Sequence, residues 1–182
     1  MVKVSIHAIA VETFVPMLRS LSGVLDKGTE HASANKSDRA ALVNARLAPD
    51  MYTLAQQVQL ACHQAKDATA HLSLQEAPQF EGDEKTLEEL KARIAKTIDY
   101  MNSVPASAFE GAEDREITIP IPENNIAFEM NGLQFLRDWA LPHFYFHVVT
   151  AYDILRQNGV DIGKRDYMTQ VGGYLRQRNS PA

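Results

Sequence analysis

Leu141-Pro142-His143-Phe144-Tyr145-Phe146-His147-Val148-Val149-Thr150-Ala151-Tyr152-Asp153-Ile154-Leu155-Arg156 is the stretch that decides how this chain folds. It is dense in aromatic and aliphatic residues. Two histidines stand four residues apart in it, so on an α-helix they share one face, one turn apart. Phe144, Ala151, Ile154 and Leu155 fall on or beside that face, whereas Asp153, Arg156 and Gln157 fall elsewhere. Both imidazoles are therefore predicted to point inward from an amphipathic helix.

The pair admits two readings. In one, His143 and His147 supply two nitrogen ligands to a metal, because the i, i+4 spacing lets both reach one point beside the helix. In the other they are core or interface histidines held by hydrogen bonds. Phe144 stands where a zincin-type protease would carry glutamate after its first histidine, which argues against that class.

Working outward, the same periodicity recurs three times upstream. Val4, His7, Val11, Phe14, Leu18, Leu21 and Leu25 make one stripe, predicting a helix over residues 4–26 with a kink ahead of Pro16 and an end at Gly28. Residues 29–47 are more polar and read as a connector, with a short helix from Ala40 to Leu47. A second long helix is predicted over residues 50–73, capped by Asp50, with Met51, Leu54, Val58, Ala61, Ala65 and Leu72 inward. His63 lies roughly 140° from the centre of that stripe, with Asp67 one turn on to orient it; His71 reads as exposed. A third helix, about 84–103 with Asp83 as its cap, turns Leu87, Leu90, Ile94, Ile98 and Met101 inward.

Between this helix and the last one the period changes to two. Ile117, Ile119 and Ile121, then Ile126, Phe128 and Met130, alternate around Pro122-Glu123-Asn124-Asn125, which reads as a β-hairpin with one apolar face. A lone hairpin is marginal, so it must lie against the helices or a second subunit. The last helix is predicted from Asn131 to Asn158, kinked at Pro142 and closed by Asn158-Gly159. Residues 171–182 read as a flexible tail.

These elements describe one all-α domain over residues 1–170: a four-helix bundle with a helical connector and a small β-hairpin between the third and fourth helices. The net charge of −5 offers no basic field to nucleic acid. No apolar run reads as a bilayer span and no signal peptide is recognisable, which points to a cytoplasmic protein. The single cysteine, Cys62, excludes an internal disulfide and reads as a small core residue.

Leu47-Ala48-Pro49-Asp50-Met51-Tyr52, Gln57-Val58-Gln59, Glu110 to Arg115, Leu141 to Tyr152 and Gly163-Lys164-Arg165-Asp166 together resemble the DUF1993 family of bacterial domains of unknown function. That family sits in the DinB/YfiT-like superfamily of helical bundles. The resemblance implies a bundle fold, frequent homodimers, and a metal site of one histidine from the second bundle helix plus an H-x-x-x-H pair from the last. His143 and His147 match the pair. The third ligand's place falls near Gln59 or Leu60, one turn before His63, which makes His63 the candidate. The function implied is a degenerate metal-dependent enzyme, with zinc or nickel activating a thiol or water in thiol transfer. The other reading is a non-catalytic dimeric bundle with structural histidines that binds a small molecule or a protein.

Overall fold

The computed structural model describes residues 5–35 and 39–176. The predicted start at Val4, the connector positions Lys36, Ser37 and Asp38, and the end of the tail, residues 177–182, lie outside them.

Helix α1 spans Ile6–Ala34, with the Ser5 hydroxyl accepting from the Ala8 amide at its start. It runs past Gly28, where a stop is predicted from sequence. A Cβ on Gly28 would lie 3.2 Å from Leu155 Cδ2, so this glycine serves close helix packing rather than termination. By length and composition α1 could cross a bilayer. Its apolar side chains instead fill the bundle: Phe14, Leu18 and Leu25 are wholly buried.

Helix α2 is short, Arg39–Asn44, and α3 spans Leu54–Ser73. Thr53 caps α3, not Asp50. Its hydroxyl accepts from Gln56 N while Gln56 Oε1 accepts from Thr53 N at 2.9 Å, a reciprocal box that satisfies two otherwise orphaned donors. Likewise α4, Leu87–Ser103, starts at a Thr86–Glu89 box rather than at Asp83.

The hairpin forms as the alternation predicts. Strand β1, Glu116–Ile121, pairs antiparallel with β2, Ile126–Asn131, in the register Ile117↔Met130, Ile119↔Phe128, Ile121↔Ile126. All six apolar residues thus share one face. Ile117 is buried against the bundle, while Ile126 and Phe128 are about half exposed, at 56% and 46%, so the face overhangs the body towards its tip.

The last rod is not one helix bent at a proline. Asn131 and Gln134 box a single turn, α5, Gly132–Gln134; a π-helical segment follows over Phe135–Ala140; then α6 spans Leu141–Gln157. The Leu141 amide donates to the Leu136 carbonyl, five residues back. Pro142 has no N–H to donate and its ring crowds the carbonyl four residues earlier. Widening the preceding turn to π accommodates both, and π-turns concentrate at functional sites. Gly159, at φ 86, ends the helix as predicted.

In the bundle α3 packs most extensively on α6, α1 and α3 each pack on α4, and α1 also touches α3 and α6. Phe14 and Phe144 meet edge-to-face at 4.7 Å in the core. Beyond α6, α7 spans Lys164–Tyr167 and ties back to α1 through Lys27 and Asp166 at 2.7 Å. Ser20 and Thr169 share a hydrogen bond of 2.6 Å. Residues 171–176 are exposed.

Candidate functional site

The predicted pair does face the bundle interior. His147 is 8% exposed; His143 is half-buried. The π-turn brings Trp139 edge-on to the His143 ring at 4.5 Å, and Phe128 of the hairpin lies 5.1 Å from Trp139. Phe146 lies edge-on to His147 at 5.4 Å. The pair is thus flanked by aromatic rings from α6, the π-turn and, one ring removed, the hairpin.

From α3 the residue that meets the pair is Gln57, which is buried. Its Oε1 lies 2.8 Å from Nδ1 of His147, while its Nε2 approaches the Tyr52 carbonyl at 3.4 Å. An amide oxygen only accepts, so His147 carries its proton on Nδ1 and its Nε2 is bare when the ring is neutral. Burial, and then the neighbouring His143, push the His147 pKa down to about 4, so the ring is neutral near pH 7. Nδ1 of His143 is buried and meets no acceptor or donor among the described residues.

His63 is not brought to this site. It is exposed, and the charges that act on it are those of Asp67, Lys66 and Arg93. Six residues separate it from Gln57, which turns it about 120° round the helix. Partial desolvation of the ring lowers its pKa, and Lys66 and Arg93 lower it further against the pull of Asp67. Asp67 pairs with His71 at 3.5 Å rather than with His63, and the half-buried His71 ring lies edge-on to Phe135.

A catalytic zinc site takes three protein ligands and leaves one position open. Among the described residues no three His, Cys, Asp or Glu side chains come together to hold a metal. The side chain that meets the pair from α3 is a neutral amide, which accepts from Nδ1 of His147 and leaves Nε2 of that ring free. The residues present therefore do not fit a three-ligand metal centre. Gln57 is the α3 partner of His147 that helical periodicity alone does not single out. Its signal was visible, since it is a polar residue between Leu54 and Ala61 on an otherwise apolar stripe. Cys62 is wholly buried, and burial pushes its thiol up to about 12, which suits a core residue and not a nucleophile.

The model of a domain of unknown function, DUF1993, matches residues 6–168. This chain belongs to the DUF1993 family. No curated protein matches it. The DUF1993 fold is similar to the crystal structure of a DinB family member protein from Shewanella denitrificans. The two share 36% sequence identity and a TM-score of 0.83, over 96% of this chain and 95% of that one. The bundle with its small two-stranded sheet is thus a DinB-like architecture.

Proposed function

We propose that this DUF1993 chain is a non-catalytic DinB-like bundle that works by binding, with His147 as a structural polar link between α6 and α3. The observation that carries the reading is the Gln57–His147 hydrogen bond. A buried neutral imidazole satisfied by an amide locks α6 onto α3, and buried polar pairs of this kind specify which surfaces pack together. The zinc- or nickel-dependent thiol-transfer reading needs a third ligand, and His63 lies on another face of α3.

The partner we infer is a second copy. Ile126 and Phe128 towards the hairpin tip, Leu133 just past the far end of β2, and Phe146 and Val149 on α6 are all at least 40% exposed. Exposed apolar side chains gathered on consecutive elements favour burial against another surface. A two-stranded sheet also has two outer edges, which favours self-pairing about a two-fold axis.

Two measurements on untagged protein test this. Metal analysis should find no stoichiometric zinc or nickel after incubation with either ion. Light scattering should find a dimer that Phe128→Glu converts to a folded monomer. Near-stoichiometric metal that His147→Ala abolishes would restore the metalloenzyme; a wild-type monomer would remove the pairing.

A further inference from the structure

A separate polar cluster lies where the segment between α3 and α4 folds back as a strap. Gln59 of α3 donates Nε2 to the Gly82 carbonyl at 3.1 Å and to Glu84 at 2.8 Å, which pins the strap down. Beneath it Arg93 of α4 is 8% exposed, with Nη1 2.6 Å from Glu84 and its guanidinium carbon 4.9 Å from the centre of the Phe80 ring. Burial by itself would raise the Glu84 carboxyl; hydrogen bonds from Arg93, backbone and Gln59 outweigh it and hold the pKa low. The buried pair is therefore ionised.

Desolvating two ions is costly unless every remaining donor and acceptor is satisfied. One is not: Nε of Arg93 is buried and meets no acceptor among the described residues. Arg93 also lines a cavity of about 320 Å³, together with Phe80, Glu81, Asp83, Glu84 and Lys96. It adjoins a wider groove of about 650 Å³ that shares Phe80 and Lys96. The smaller cavity lies at the lower end of the size range of small-molecule sites.

The charges around it select the ligand. Glu84 already offsets the charge of Arg93, so a simple anion gains little. Glu89, also on the wall, is occupied by the Lys85 and Thr86 amides. That leaves the carboxylates of Glu81 and Asp83, which favour a cation, and the ammonium of Lys96, which favours an anion, so the wall suits a ligand that carries both charges, while Nε of Arg93 requires an acceptor oxygen. We propose that this cavity binds a free α-amino acid: the α-carboxylate accepts from Nε of Arg93, the ammonium faces Glu81 and Asp83, and the side chain runs over Phe80 into the wider groove.

The test is an NMR titration of the full chain with a mixture of the proteinogenic amino acids, then with each singly. Saturable shifts are expected at amides between Phe80 and Arg93. Analogues of the best binder lacking either the amine or the carboxylate should bind at least about tenfold more weakly, the scale of one charge-assisted hydrogen bond. Arg93→Lys keeps a cation for Glu84 but removes the Nε donor, and should weaken binding similarly. Asp83→Asn leaves the Arg93–Glu84 pair intact and should weaken the amino acid but not its deaminated analogue. No shifts with the mixture, equal binding of the deaminated analogue, or unchanged affinity in both folded variants would overturn the assignment.

Discussion

Gln57 Oε1 and His147 Nδ1 meet at 2.8 Å across ninety residues of chain, and both side chains are buried. That contact joins the two helices that pack most extensively on each other, and it decides how the histidine motif behaves.

Gln57→Leu should destabilise the fold by about 1–3 kcal/mol, because it strands a buried N–H donor with no acceptor. His147→Leu leaves the amide oxygen stranded and should cost a similar amount. The double variant should recover part of the loss, since replacing both partners with apolar groups removes the unsatisfied atoms. Urea midpoints of the four proteins give the coupling directly; strictly additive losses would show that the pair is not coupled.

The pH dependence follows from His147. Its folded pKa of about 4 lies below the unfolded value of about 6.5. As pH falls, the unfolded chain takes the proton first. Stability from the neutral ring is therefore fully present above about pH 6.5 and is lost progressively down to about pH 4, by at most about 3 kcal/mol. His71, whose pairing with Asp67 raises its pKa, works in the opposite sense: its stabilisation is present below the unfolded value and is lost as pH rises through the folded one. Subtracting the His147→Leu stability curve from that of the wild type isolates the first effect, which should grow towards neutral pH.

Trp139 is the chain's one tryptophan and therefore a clean reporter. It touches Phe128 on one side and His143 on the other. Phe128→Ala should red-shift its emission by opening it to water. The same change should cost about 0.5–1.5 kcal/mol beyond the lost buried area. An unshifted spectrum would mean that the hairpin does not cover the π-turn in solution.

Two glycines should respond oppositely to alanine. A Cβ on Gly132 would overlap the Ala112 carbonyl oxygen, which is backbone and cannot step aside cheaply. Gly132→Ala should therefore cost about 3 kcal/mol or more. Gly23, exposed within α1, has nothing within 4 Å of its Cβ position. Gly23→Ala should stabilise by about 0.5–1 kcal/mol through helix propensity. Thermal midpoints of the two variants check both signs.

Much of the scaffold was legible because its signals are local. Four apolar stripes at helical spacing, a period-two run either side of Pro122, and Asn158-Gly159 as a stop each act within a few residues. Where a local reading went astray, a stronger local signal usually stood nearby. Thr53-Leu54-Ala55-Gln56 and Thr86-Leu87-Glu88-Glu89 are capping boxes that outcompete Asp50 and Asp83, since they satisfy two donors where a single cap satisfies one.

By itself the sequence determined the bundle, the hairpin and the inward turn of His143 and His147, because side-chain direction follows from periodicity along one element. Three things waited on tertiary structure. Gly28 became a packing site once Leu155 was known to lie against it. Pro142 became a widened π-turn rather than a simple bend, and Phe135 and Leu136 of that turn are buried in the core. Gln57, not His63, became the partner of the pair because the angle between α3 and α6 selects which face of α3 the imidazoles see. Helical spacing specifies faces, and only the packing of one helix on another specifies which faces meet.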